Sequence, residues 1–307
     1  MDTRRIGSLD VSIVGLGCNN FGGRLDEAAT RAVVDAALDA GITFLDTADT
    51  YGATRSEEFL GRILRGRRDR VVIATKFGMK HAGPGGEGGA SPAYVRKAAD
   101  ASLQRLQTDR IDLLQLHTPD DATPIQDTLG ALDELVRSGK VLEVGCSNFD
   151  AARLARADAV FAPGAATFAS VQNELNLLDR RDVYATLPAA DRLGLAYIPH
   201  SPLASGLLTG KFRRGEAAPP GTRIADLPAE RAERMLTEET FDRIDLLTSF
   251  AQARGRTLLE LAFGWLLSLR PVASVIAGAT SPAQVAANAA AGTWRLDESD
   301  LASLTRL

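Results

Sequence analysis

Ile42-Thr43-Phe44-Leu45-Asp46-Thr47-Ala48-Asp49-Thr50-Tyr51-Gly52 sets a short apolar run directly against a carboxylate, and the fold follows from how this stretch is read. Residues 42–45 are β-branched and aromatic and too few for a helix, so they predict a buried strand. The run stops on Asp46, and Tyr51 follows in a loop of small residues closed by Gly52. A carboxylate at the mouth of a buried strand must be solvated or paired, because an isolated buried charge is costly. Alone, the pattern also fits an Asp that caps its own loop beneath a packed Tyr. The next two apolar runs tip the balance. Residues 71–75 run into Lys76, and residues 111–116 run into His117. Asp46, Lys76 and His117 thus end three successive strands, and parallel, adjacent strands would bring them and Tyr51 to one rim.

That set suits proton transfer to oxygen. A phenol of pKa ~10 is a poor donor at neutral pH. A neighbouring ammonium favours the phenolate and lowers that pKa. Asp46 would hold Lys76 charged and in place, while His117 would orient a carbonyl oxygen. By microscopic reversibility the same groups deprotonate an alcohol. No nucleophile is evident, so a hydride donor must complete the chemistry, which points to a nicotinamide.

With 307 residues, 45% hydrophobic and 24% charged, the composition is that of an ordinary soluble globular protein. A net charge of −4 and a pI near 5.5 argue against nucleic acid as a partner. No apolar run approaches the ~18 residues of a membrane span. The start, Met1-Asp2-Thr3-Arg4-Arg5, has no apolar signal core. Cys18 and Cys146 are too few for a disulfide framework, so a reducing cytoplasm is the expected home. Nothing in the pattern sets an oligomeric state, and a monomer is the default.

Strand and helix signals alternate along the whole chain. Residues 3–12 hold two short segments about a hairpin turn at Gly7-Ser8-Leu9-Asp10, and residues 13–17 form the first apolar strand. A helix from about Asp26 stops at Gly41, before the strand at 42–45. Ser91-Pro92 opens a helix over 91–107 with an N-cap and a proline at its first position. Thr123-Pro124-Ile125-Gln126 predicts a capping box, with Ile125, Leu129, Leu132 and Val136 forming one apolar stripe. Residues 141–144, 168–171, 196–198 and 272–276 read as strands five to eight. Eight strands, each followed by a helix, predict a (β/α)8 TIM barrel of one domain over residues 1–307. The active site is then expected at the strand C-termini. Two insertions, the glycine-rich 81–90 and the charged 213–236, are expected to form long flexible walls over that face.

Other signals carry less. Gly83-Pro84-Gly85-Gly86-Glu87-Gly88 satisfies G-x-G-x-x-G, but it lacks the tight strand-to-helix turn and the acidic end on the next strand that dinucleotide binding needs. His81, His117 and His200 are scattered without metal-ligand spacing, so no metal is expected. No Ser sits in a G-x-S-x-G elbow. Cys146 reads as a buried inert thiol.

Residues 44–52, 74–78, 116–120, 144–149, 171–174, 201–212 and 278–288 together resemble the aldo-keto reductase superfamily, in the right order and across nearly the whole chain. The resemblance implies that the N-terminal hairpin plugs the bottom of the barrel. It implies that Asp46, Tyr51, Lys76 and His117 are the catalytic tetrad, and that a nicotinamide dinucleotide lies extended across the barrel mouth. By position, Ser147, Asn148 and Gln172 would bind its carboxamide, with Gly17, Cys18, Asn19 and Asp46 nearby. The stretch Ser201-Pro202-Leu203-Ala204-Ser205-Gly206-Leu207-Leu208-Thr209-Gly210-Lys211 resembles the pyrophosphate belt, in which Lys211 and, farther on, Arg223 would meet the phosphates. Gly278, Thr280, Gln284 and Asn288 would touch the adenosine end, where the helix starting at Ser281 suits an anion such as a 2′-phosphate. Gln284 could equally complete a capping box.

Two positions depart from the family pattern. His200 stands where an aromatic often stacks on the nicotinamide, and Gly278 and Gln284 replace the Lys and Arg of many members. Residues 278–288 contain no Asp or Glu to repel a 2′-phosphate, which favours NADPH, with NADH as the alternative. The expected function is reduction of aldehyde or ketone carbonyls on small molecules. The alternative is a cofactor-binding regulatory or scaffold subunit with little turnover, because potassium-channel β subunits share this pattern. Those carry Asn where this chain keeps His117. A Schiff-base lyase or isomerase built on Lys76 would need a carboxylate or phosphate clamp that the sequence lacks.

Overall fold

The computed structural model describes residues 1–80, 88–161 and 163–306. An antiparallel hairpin of β1 (Thr3–Ile6) and β2 (Leu9–Ser12) turns at Gly7-Ser8. Gly7 adopts φ +56, a left-handed conformation that favours glycine, and the Glu143 carboxyl carbon lies 2.4 Å from where a Cβ would stand. That carboxylate is near because it accepts the Ser8 N–H at 2.7 Å.

The alternating elements then follow as β3 (Val14–Gly17), α1 (Glu27–Asp39), β4 (Phe44–Asp46), α2 (Arg55–Ile63), β5 (Val72–Phe77) and α3 (Pro92–Leu106). Next come β6 (Ile111–Leu116), α4 (Ile125–Arg137), β7 (Val141–Ser147), α5 (Ala151–Asp158), β8 (Phe168–Glu174), α6 (Thr186–Arg192) and β9 (Ala196–His200). The chain ends with α7 (Ala229–Met235), α8 (Glu238–Gln252), α9 (Leu258–Ser268), β10 (Val275–Gly278), α10 (Pro282–Ala291) and α11 (Glu298–Thr305). Strands β3 to β9 pair in parallel in chain order, and β10 pairs with β3. The ring closes at a seam where Tyr197 bridges Val272; there the Tyr197 N–H donates to Pro271 O at 3.1 Å and the Ala273 N–H to Tyr197 O at 2.9 Å. This is the expected (β/α)8 barrel.

Two apolar clusters follow from the twofold alternation of each strand. Phe44, Ala74, Leu113, Ile198 and Ile276 point inward and pack with Ile6, Leu9 and Val11, so the hairpin does plug the barrel. The larger cluster lies between strands and helices. Asp26 caps α1, Ser91 with Pro92 caps α3, and Ser281 with Pro282 caps α10, as the sequence predicts.

Several boundaries differ from expectation. Lys76 lies inside β5 rather than past its end, and β7, β8 and β9 run two or three residues longer than their apolar cores. The added lengths carry Ser147, Gln172 and His200, polar side chains on the cleft that apolar content cannot mark. The eighth strand is Val275–Gly278, and residues 272–274 form the seam instead. The capping box at Thr123 is absent: Pro124 precedes α4 without a side-chain cap, and the Thr123 hydroxyl donates to Asp120 at 2.8 Å. The insertion at 213–236 contains α7, whose charged sequence shows no apolar stripe. Residues 81–87 of the other insertion lie outside the described residues. No described helix is long and apolar enough to cross a membrane.

Helices α2 and α3 meet at Gly61, where a Cβ would lie 2.3 Å from Arg105 O. On an open helix face Gly→Ala stabilises by about 1 kcal/mol. Here overpacking of about 1–3 kcal/mol outweighs that gain, so Gly61→Ala is expected to lower the urea midpoint, measured by circular dichroism.

Candidate active site

Strand register brings the tetrad together. Asp46 of β4 pairs with Ala74 of β5, and Lys76 of β5 with Gln115 of β6. Alternation therefore turns Asp46, Lys76, Gln115 and His117 toward the barrel axis. The Lys76 ammonium donates to Asp46 Oδ2 at 2.6 Å, to Thr47 O at 2.9 Å and to the Tyr51 hydroxyl at 3.3 Å. Its side chain is 1% exposed and that of Asp46 3%, so the pair is sealed from water. The Tyr51 ring stands edge-on to His117, with centroids 6.0 Å apart.

Tyr51 reaches this position on a tightly wound loop. Gly52, Ala53 and Thr54 all take positive φ (59, 54 and 76), and a Cβ on Gly52 would lie 2.4 Å from Phe21 O. The Thr47 N–H donates to Ala74 O at 2.8 Å and the Asp49 N–H to Lys76 O at 3.1 Å, extending the pairing with β5 past Asp46.

Burial sets the charge states. It drives the Tyr51 pKa above the ordinary phenol range, and Lys76 only partly counters it. The expectation that the ammonium would dominate is thus corrected: desolvation wins, and the phenol keeps its proton. Burial opposes the charge on Lys76 as well, but Asp46 and Tyr51 outweigh it and the pKa rises. His117 falls to about 3, first through burial and then through the Lys76 charge, and its Nδ1 has no hydrogen-bond partner among the described residues. His200 falls to about 4 for the same first reason. Both imidazoles are neutral at physiological pH.

Gln115 is a site residue that the sequence reading missed. Its Nε2 donates to Asp46 Oδ1 at 3.3 Å, where the Gln172 Nε2 also donates at 2.8 Å. Two amides and an ammonium thus saturate one buried carboxylate. A polar residue two places before His117, on the same strand face, was the available signal.

The tetrad opens onto a cleft of about 580 Å³. Every residue expected to hold a cofactor lines it except Cys18, which is fully buried with its thiol against Leu16 O. Lys76 lies just behind the lining. Ser147 Oγ donates to Gln172 O at 2.8 Å, and Asn148 Nδ2 to His117 O at 2.9 Å, which leaves Asn148 Oδ1 and Gln172 Oε1 without donors among the described residues. His200 Nδ1 lies 3.2 Å from Ser201 Oγ.

At the far end, Lys211 and Arg223 make no ion pair among the described residues. The Lys211 and Arg223 pKa values are lowered by burial and then by the nearby Arg24 charge. Gln284 Oε1 accepts both the Thr280 N–H at 2.8 Å and the Thr280 hydroxyl at 3.2 Å, so it reaches back past the Ser281 cap. Asn20 and Arg24 also line the cleft and were not foreseen. Arg24 donates to Thr222 O at 3.0 Å and to the Asp226 carboxylate, clasping the 213–236 segment over the cleft. Among the described residues no group of three or more His, Cys, Asp or Glu could hold a metal.

A lysine–carboxylate pair thus lies under a tyrosine and a neutral histidine, at the C-terminal mouth of a (β/α)8 barrel. Residues 13–307 match the Aldo/keto reductase family, and the chain belongs to it. It is 34% identical to the L-glyceraldehyde 3-phosphate reductase of Escherichia coli (strain K12), over 88% of this chain and 80% of that protein. A probable voltage-gated potassium channel subunit beta from Oryza sativa subsp. japonica is also 34% identical, over 87% of this chain and 83% of that one. Among solved structures, the glycerol dehydrogenase from Gluconobacter oxydans superposes with a TM-score of 0.84 at 30% identity, covering 99% of this chain and 94% of that one. Members of this family generally use nicotinamide cofactors on small carbonyl compounds, and this chain is an oxidoreductase of the family.

The depressed histidine pKa values give a direct test. In two-dimensional NMR the rings of His117 and His200 are expected to show no titration between about pH 5 and 9, where an exposed imidazole would titrate near 6.5.

Proposed function

We propose that this protein reduces aldehyde or ketone carbonyls to alcohols with NADPH, using Tyr51 as the proton donor. The observation that carries this reading is the 3.3 Å contact of the Lys76 ammonium with the Tyr51 hydroxyl beside a neutral His117. Tyr51 is protonated at neutral pH as any phenol is, and burial strengthens its hold on the proton. Once its proton passes to the carbonyl oxygen, the phenolate left behind faces Lys76, whose charge stabilises it there more than in the starting state. Asp46 fixes Lys76, and Gln115 and Gln172 fix Asp46. A neutral His117 orients the carbonyl without competing for the Lys76 counter-charge. A bound reduced nicotinamide supplies the hydride.

The cleft suits that dinucleotide. The free carbonyl oxygens of Asn148 and Gln172 match the carboxamide N–H groups, and the ring of His200 lies at the cleft wall to pack on the nicotinamide face. Lys211 and Arg223, without acidic partners among the described residues, suit the pyrophosphate. For the 2′-phosphate there remain the N-terminus of α10 and, once turned from Gln284 Oε1, the Thr280 hydroxyl, with no carboxylate among residues 278–288. The substrate is a small aldehyde or ketone, in keeping with relatives named for an aldehyde phosphate and a polyol. A second reading, a cofactor-binding subunit with little turnover, takes its support from the rice relative's name; His117 weighs against it. Purified protein that fails to oxidise NADPH with any simple aromatic aldehyde, yet binds the cofactor, would favour that second reading.

Two outcomes are expected. Tyr51→Phe should cut turnover by ~10²–10⁴, the range for losing a general acid, with cofactor affinity nearly intact; an unchanged rate of aldehyde reduction would exclude Tyr51 as the donor. In fluorescence titrations NADPH should bind at least about tenfold more tightly than NADH, the equivalent of one charge-assisted contact, and equal affinities would overturn the choice of cofactor.

A further inference from the structure

A buried charge cluster lies behind the barrel wall, on the face of β5 turned away from the cleft, and the chemistry above makes no use of it. Thr75 alternates with the inward Ala74 and Lys76, so its hydroxyl points outward and donates to Glu57 Oε1 at 2.6 Å. Arg105 of α3 donates to Glu57 Oε2 at 2.6 Å. Glu57 is wholly buried, and both its oxygens are taken. Beside this pair sits Asp49, 1% exposed, with neither carboxyl oxygen in a well-formed hydrogen bond to any described residue. The adjacent Thr50 N–H leans toward it without closing one. Three charged groups act on Asp49: Glu57 from α2, Arg105 from α3 and Lys76 from β5.

A carboxylate without donors in a dry site is costly, and Glu57, already saturated by Thr75 and Arg105, repels it. We propose that Asp49 is a positioning residue for Tyr51: as a neutral acid it lets the loop 47–52 pack against Glu57, and as a carboxylate it drives that loop away. The same loop supplies Thr47 O to Lys76 and carries Tyr51, and the left-handed run from Gly52 to Thr54 leaves it little slack. Burial first, then the Glu57 charge, raises the Asp49 pKa to about 7 against the pull of Arg105 and Lys76. The inference rests on the reading of Tyr51 as proton donor.

Asp49→Asn mimics the neutral acid and separates this role from simple packing. Wild-type kcat for aldehyde reduction should fall as pH rises through about 7, whereas the variant should hold its low-pH rate. At pH 8 the variant should then exceed wild type by up to about tenfold, the ratio of ionised to neutral acid one unit above its pKa. Glu57→Gln, which removes the repelling charge, should move the limb to lower pH. Folding gives a readout that needs no turnover. The folded pKa lies above the ~3.9 of an unfolded Asp, so the native state holds the extra proton between those values. Stability from this group is complete below ~3.9 and is lost as pH rises through the folded value. The urea midpoint of Asp49→Asn relative to wild type should therefore climb from about pH 5 to about pH 8. Superimposable activity profiles, or a climbing midpoint with no activity limb, would overturn the coupling to Tyr51. A wild type inactive toward carbonyls at every pH would sink the reductase reading, and this proposal with it, even if the midpoint climbs.

Discussion

A lysine ammonium sealed inside a barrel tolerates few arrangements around it, and the contact of Lys76 with Asp46 is the constraint on which the rest of the site depends. Removing one partner of such a buried pair leaves an uncompensated charge, at a cost of about 3–5 kcal/mol. Pairing alone is insufficient, because the remaining lone pairs and protons also need partners. Here Thr47 O and the Tyr51 hydroxyl serve the ammonium, while the amides of Gln115 and Gln172 serve the carboxylate. These groups come from β4, β5, β6, β8 and the loop after β4, so the register of half the barrel is tied to one ion pair. With one positive and one negative charge balanced there, further ionisation nearby is disfavoured, and Tyr51 and His117 stay neutral.

Much of this was legible in the sequence because polar residues at the ends of apolar runs stand out. Asp46, Lys76 and His117 each interrupt such a run, and eight alternations of strand and helix leave few folds to choose from. Gln115 was lost because it sits within a run whose apolar character decided its reading, although its parity with His117 placed it on the same face. Asn20 and Arg24 were invisible for another reason: they reach the cleft through loop geometry, which no periodicity records. Cys18 shows the converse error, since sequence neighbours of cleft residues can turn their side chains into the core. Thr123 looked like a helix cap, yet its hydroxyl is turned toward Asp120, to which it donates, and Pro124 takes the cap position.

The sign of the Tyr51 shift marks a deeper limit. Sequence identifies which charges are near neighbours, but it does not state how dry their surroundings are, and dryness decides the outcome for the phenol. Asp49 makes the same point more sharply. Read in sequence it is one more polar residue in a loop between Asp46 and Tyr51. Only the packing of α2 and α3 over the back of β5 shows it to be cut off from both water and donors.

The seam at Tyr197 and Val272 has a mechanical meaning for the whole molecule. Every other join in the barrel is a ladder between strands, whereas this one rests on an isolated bridge with a backbone bond on either side. Cooperative units tend to part where few backbone bonds hold them, so amide exchange should reveal the hoop opening here first. Just above the seam, His200 ends β9 and leads into Ser201 to Leu203, while Gly278 ends β10 and leads into Thr280, and both groups face the same cleft. A molecule seated against both acts as a staple across the weakest joint, and occupancy of the cleft thereby becomes rigidity of the hoop.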